Sequence, residues 1–221
     1  MSLNDDGKVG IGTTIPNEKL TVSGNISANG LLYGAVQATK GTNNTAVGVN
    51  ALCNITTGQC NTAIGYQSQI SNTTGCRNAS VGFNSLFATT SGSYNTAVGN
   101  SSMRYNTTGD KNSATGNASL YSNTTGCYNT ASGHQSLYSN TTGIQNTATG
   151  YNSLVNNTTG SNNTATGYES LLNNTTGTQN TATGFYALRL NTTGNCNTAS
   201  GYQSLQSNTT GSNNTASGYG S

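Results

Sequence analysis

The chain has 221 residues, of which only 7 are Lys or Arg and 5 are Asp or Glu, for a net charge of +2. Charged residues make up 5% of it, against about a quarter in ordinary soluble domains, while Gly reaches 29 and Trp is absent. The sparse, scattered charge excludes the basic stripe of a nucleic-acid binder, and no apolar run approaches the ~20 residues of a membrane-spanning helix; by composition alone the chain reads as disordered, and only periodicity argues otherwise.

Residues 1–43 come first and lie outside the repeat; they are expected to form an N-terminal cap or joining segment. The start, Met1-Ser2-Leu3-Asn4-Asp5-Asp6, lacks the apolar core of a secretory signal, which implies a trimmed signal or assembly in a cytoplasm, as for virion parts. Gly7-Lys8-Val9-Gly10-Ile11-Gly12-Thr13-Thr14, followed by Pro16, Lys19, Leu20, Val22 and Gly24, resembles a segment of phage tail fibres. There the pattern V-G-I-G-T-T-x-P-x-x-K-L-x-V-x-G precedes N-T-A-x-G-Y-x-x-L repeats and a C-terminal self-cleaving chaperone of the endosialidase type. No such chaperone is recognisable here and the chain stops within a unit at Gly220-Ser221, so a fragment or processed product is expected.

Residues 44–221 hold eleven units on a strict 17-residue period, beginning at Asn44 and Asn61 and ending with the incomplete unit at Asn214, without insertion or deletion. The consensus is N-T-A-x-G-Y-x-S-L-x-x-N-T-T-G-x-x. Loops tolerate insertions because closure depends only weakly on length. A coil stacked on identical coils does not, since one added residue shifts every later rung. Two glycines per unit, at the Gly48 and Gly58 positions, make a helix a poor expectation, and N-T-T-G is turn chemistry. The reading is all-β: a parallel β-solenoid or β-roll with two short strands per coil, x-x-N-T-A-x-G and Y-x-S-L-x-x, joined by two turns. Each coil offers little apolar surface, one Ala, one Leu and often a Tyr, against about 1–2 kcal/mol of backbone entropy per ordered residue. Burial shared between chains is therefore expected, in an intertwined or side-by-side homotrimer. The conserved-looking glycine after N-T-T suggests that Gly126 and Gly143 occupy left-handed or otherwise glycine-only conformations.

The unit brings a second resemblance. N-T-A-V-G at 44–48 and 95–99 resembles the N-S-V-A-I-G-x-x-S-x-A coils of trimeric autotransporter adhesin heads, which are YadA-like. That resemblance implies a trimeric left-handed parallel β-roll, although coils in that family are about 14–15 residues long and the extra residues here fall near N-T-T-G. Together the resemblances imply a tail-fibre or adhesin shaft, on a virion or as an extracellular appendage, that presents or contributes to host attachment. Its partners would be copies of itself and a cell-surface glycan or receptor.

Chemistry finds little support. Catalytic, cofactor-binding and metal residues are expected to be none. Asp110 and Glu169 lie three to four rungs apart, so no carboxylate pair forms. His134 occupies a position that is Tyr in other units, and the glycines match no phosphate-binding motif. The formal N-glycosylation acceptors, Asn72, Asn106 and their equivalents, read better as turn residues. Five cysteines, Cys53, Cys60, Cys76, Cys127 and Cys196, show no regular pairing, so free thiols are expected.

Two surfaces remain. Tyr66, Tyr151, Tyr168, Tyr202 and Tyr219 recur at one position and form a candidate edge for glycans or a cell surface, with packing over the turn as the plainer account. Thr147-Ala148-Thr149, Thr164-Ala165-Thr166 and Thr181-Ala182-Thr183 resemble the stacked Thr-x-Thr ladders of ice-binding β-solenoids. Val47, Ile64, Val81 and Val98 interrupt that ladder early in the chain.

Overall fold

The computed structural model describes residues 2–3, 9–11, 20–22 and 41–221. It separates Met1–Gly34 from Ala35–Ser221 as two compact units. In the first, β1 (Ser2–Leu3) pairs antiparallel with β2 (Val9–Ile11), and β2 pairs parallel with β3 (Leu20–Val22). The V-G-I motif is thus the middle strand of a small sheet; the rest of the proposed joining segment, as far as residue 40, lies outside the described residues.

The second unit is an all-β parallel solenoid. Eleven strands, β4 (Thr45–Val47) to β14 (Thr215–Ser217), stack in chain order into one sheet, each contributed by one coil. Register is constant: Thr147, Ala148 and Thr149 face Thr164, Ala165 and Thr166, which face Thr181, Ala182 and Thr183. The 17-residue unit is therefore the geometric rung of the solenoid.

Each coil has one strand, not two. The segment Y-x-S-L-x-x is a run of turns in which the residues flanking Ser adopt positive φ, as at Gln135 (52°) and Leu137 (52°). Alternating left-handed residues bend the chain back on itself, which an extended strand cannot do within six residues. The turns still bond to neighbouring coils: Leu137 N–H donates to Ser153 O at 3.0 Å and Gln135 N–H to Asn117 O at 3.0 Å.

The interior is narrow and half polar. Ala at the third position and Leu at the ninth point inward, and Ala131, Leu137, Ala148 and Leu154 are fully buried. Each buried Leu contributes about 1.5–3 kcal/mol. Two asparagine ladders line the remaining interior. At the first position, Asn129 receives the backbone N–H of Asn146 on its Oδ1 at 3.0 Å and the Asn146 amide at 3.2 Å. At the twelfth, the Asn140 amide donates to Asn123 Oδ1 at 2.8 Å and to Gly143 O at 3.1 Å. Buried amides cost free energy unless paired, and here they are paired along the axis. One chain thus closes its own core, so the sparse apolar content does not by itself require a second chain.

The two glycine sets do different work. Gly133 has φ +136°, and a Cβ there would lie 2.4 Å from Gly150 O. Gly126 and Gly143 are outside the positive-φ region, contrary to the left-handed expectation. Their constraint is steric: a Cβ on Gly126 would meet Asn123 Oδ1 at 2.4 Å and Gly143 O at 2.5 Å. The N-T-T-G corner is tight because the asparagine ladder passes directly behind it.

Candidate functional surface

With the interior filled by Ala, Leu, Asn and Ser, chemistry is confined to columns of side chains on the outside. A residue's position in the unit fixes its column, and neighbours in a column stand one rung apart, about 4.8 Å.

The sixth position carries the expected aromatic edge. His134, Tyr151, Tyr168, Phe185, Tyr202 and Tyr219 stack in one continuous column with ring centroids 4.9–5.3 Å apart and planes within 10° of parallel. Four of the five anticipated tyrosines are therefore brought together. The fifth, Tyr66, stands apart with Phe83 at 5.3 Å, because Asn100 and Asn117 occupy the column between. Phe83 and Phe185 were not anticipated, although their place at the sixth position was the available signal. Stacking covers ring faces, so the column presents ring edges and phenol hydroxyls to solvent. Face-on stacking against a sugar ring is thus restricted; offset pairs of this kind stabilise the solenoid by about 0.5–1.5 kcal/mol each.

A second aromatic run lies at the tenth and eleventh positions. Tyr121 stacks on Tyr138 at 4.8 Å and meets Tyr105 edge-on at 5.1 Å. Burial, and then a hydrogen bond with Tyr105, push the Tyr121 phenol above the usual tyrosine range.

The charged groups are absorbed locally. Glu169 Oε2 binds Arg189 Nη2 at 2.8 Å and Nε at 2.9 Å, and the Arg189 guanidinium lies 4.5 Å from the Tyr186 ring centroid. The Asp110 carboxylate accepts the Ser93 N–H at 2.6 Å. Arg77, Arg104 and Lys111 lie over aromatic rings, and Lys111 also donates to Tyr128 OH at 3.0 Å, which raises its pKa. Asp110 and Glu169 thus serve separate neighbours. No group of His, Cys, Asp or Glu among the described residues is placed to hold a metal, and all five thiols are free.

The N-T-T segments are only partly the exposed turns expected of them. Asn123, Asn140 and Asn157 are fully buried in the ladder, so their amides are inaccessible to a glycosyltransferase in the folded chain. The first Thr turns its hydroxyl to the next coil, as Thr124 does to Thr141 O at 3.0 Å; the second, as at Thr125, is exposed.

The broadest surface is the outer face of the eleven-stranded sheet. In each strand from β7 (Thr96–Val98) to β13 (Thr198–Ser200) the middle residue is buried and the two flanking residues are exposed. The hydroxyls of Thr147, Thr149, Thr164, Thr166, Thr181 and Thr183 have no intramolecular partner among the described residues. They form two columns about 6.6 Å apart, two strand residues at ~3.3 Å each. In the first four coils the second column is instead Val47, Ile64, Val81 and Val98.

Comparison with protein-family profiles, with curated proteins and with solved structures finds no match to this chain. The β-solenoid rests on the fold itself, and function has to be argued from its surface.

Proposed function

We propose that this protein is a non-catalytic structural shaft, a segment of a tail fibre or adhesin on a virion or an extracellular appendage. In that role it assembles with copies of itself, as a homotrimer, and presents or contributes to attachment to a host or surface. The observation that carries this reading is the constant register of eleven coils, each bonded to the next around its whole circumference. A stack of this kind extends along one axis in steps of about 4.8 Å, giving a rod section of roughly 50 Å. Its charge is spent on neighbours in the stack, its exterior is columnar, and the side chains that vary most lie outside. The hydroxyls at the edge of the aromatic column are the groups available to a glycan or receptor.

Negative-stain electron microscopy and small-angle scattering test the shaft. Rods with a section near that length support it, whereas a compact globule removes it. Binding of labelled protein to intact cells, competed by soluble glycans, tests attachment.

A second reading is favoured by one observation, the paired columns of unbonded hydroxyls from β8 (Ser113–Thr115) to β14. A flat, uncharged, evenly spaced hydroxyl array is suited to holding ordered water, and thus to an ice surface. Thermal hysteresis that disappears on Thr166→Lys establishes this reading. Freezing behaviour no different from that of an inert protein removes it.

A further inference from the structure

We infer that the first four coils carry a docking face for a second copy of this chain, formed by the exposed apolar column Val47, Ile64, Val81 and Val98 and the neighbouring Val49, Tyr66 and Phe83. The inference deepens the shaft reading and rests on it, because it names the surface through which copies associate.

Folding does not account for the apolar column. Val47, Ile64, Val81 and Val98 are 39–43% exposed at the fourth position of their units. From the fifth coil onward that position is Thr or Ser, as at Thr115, Ser132 and Thr149, in strands of the same burial pattern. The strand needs at most a branched side chain there, and Thr supplies the same shape as Val. The apolar choice in the first four coils is therefore not dictated by the backbone or the core.

The column also has company. One residue beyond the intervening glycine, at the sixth position, stand Val49, Tyr66 and Phe83, all exposed, with Tyr66 and Phe83 stacked. No charged residue occupies the second, fourth or sixth position of these coils. Scattered exposed apolar residues need no explanation, but a contiguous uncharged patch of this kind marks an interaction surface.

The spacing of the patch identifies its occupant. Side chains repeat every rung, about 4.8 Å, along a straight line. A row of equal β-branched knobs is matched by a row with the same repeat, whose knobs seat in the gaps, as between facing sheets about 10 Å apart. Another copy of this chain supplies that repeat, while an irregular globular surface does not. An anionic or cationic partner finds no counter-charge on the face. Four rungs cover a few hundred Å², less than the ~800 Å² per partner of a stable interface. Pairing through this face alone is therefore expected to depend on concentration in the micromolar range.

Sedimentation of the full chain across that range, beside the variant Val47→Thr, Ile64→Thr, Val81→Thr and Val98→Thr, is the test. The substitutions write into the early coils the residue that later coils already carry, so the circular dichroism should be unchanged. The wild type should associate as concentration rises, and the variant should weaken that association by on the order of tenfold or more. A wild type that stays a single chain throughout, or a variant that associates as well as the wild type, overturns the inference. If single chains are still rods by electron microscopy, the docking face falls and the shaft reading stands; if no rods are seen, the shaft reading falls with it. Should the variant fail to fold, Thr115→Val with Ser132→Val and Thr149→Val lengthens the apolar column instead. That variant should associate more tightly, and unchanged association overturns the inference equally.

Discussion

Gln69 and Ser80 form a hydrogen-bonded pair inside the solenoid, with Gln69 Nε2 donating to Ser80 Oγ at 2.8 Å. They occupy the positions that are Leu and Ala in most coils, so two departures from the repeat meet each other. Gln69 Nε2 also donates to Thr62 O at 2.9 Å, Asn72 donates to Gln69 Oε1 at 3.1 Å, and Ser80 Oγ lies 2.5 Å from Ser68 Oγ. This polar layer divides the apolar core, with Leu52, Ile55 and Ala63 on one side and Leu86, Ala97 and their successors on the other.

Replacing both residues with the majority pair should therefore be tolerated. Gln69→Leu with Ser80→Ala is expected to melt at or above the wild-type temperature, since a well-packed apolar pair replaces a satisfied polar one. Ser80→Ala alone should cost about 1 kcal/mol, the worth of a typical hydrogen bond. Calorimetry of the two singles and the double closes the cycle; a double that loses the sum of the singles would show that the pair is uncoupled.

Leu137 is fully buried at φ +52°. β-branched residues are strongly disfavoured in the left-handed region, whereas unbranched ones are strained less. Leu137→Ile should thus destabilise the solenoid more than Leu137→Met, although all three residues are similar in volume. Leu137→Ala should cost about 2–5 kcal/mol through the cavity it leaves. Equal melting temperatures for the Ile and Met variants would contradict a left-handed Leu137.

The glycines should rank by how many constraints they bear. Gly133→Ala adds a left-handed Ala to a clash with the backbone of the next coil, while Gly126→Ala clashes without the positive φ. Both should cost more than about 1 kcal/mol, and Gly133→Ala should cost more. Chemical denaturation of each variant reads the order directly, and a neutral Gly126→Ala would mean that the Asn123 corner can open.

Tyr121 gives the fold a dependence on alkaline pH. Its phenol is raised in the folded state, mainly by burial. A raised acid contributes stability that is intact below its unfolded pKa, near 10, and is lost as pH rises through the folded value. Stability should therefore fall on the alkaline side of the ordinary tyrosine range, and Tyr121→Phe should flatten that fall. An ultraviolet titration in which Tyr121 ionises with the exposed tyrosines would contradict the assignment.

Much of this was readable in the sequence, for reasons that differ by position. The strict interval from Asn44 to Asn214 gave the solenoid, because stacking forbids insertions. Thr-Ala-x gave the strand, since alternation places Ala alone inside. The second strand was misread because Y-x-S-L-x-x looks extended when Leu is assumed to avoid positive φ; Leu86 and Leu137 adopt it at 50° and 52°. The core around them leaves each Leu buried at that corner, and packing outweighs local preference. The role of Asn123 was hidden for the opposite reason. In sequence it belongs to a polar turn, and only the neighbouring coil, 17 residues away, supplies the amide that lets it be buried. Of the surface, the recurring tyrosines marked the right column, but the sequence alone did not tell stacked faces from open ones.

The asparagine ladders also make the rod directional. At every rung the backbone N–H of the later coil's first-position Asn donates to the side-chain carbonyl of the earlier one, from Asn61 to Asn44 through Asn214 to Asn197. At most rungs the side-chain amide donates in the same sense, as from Asn61 to Asn44 and from Asn197 to Asn180. The side-chain dipoles run head to tail and polarise one another in the same sense. A cut across the solenoid at any rung would expose amide donors on one new face and amide acceptors on the other. Two such faces of like kind repel, so rods built on these ladders can be spliced end to end in only one polarity.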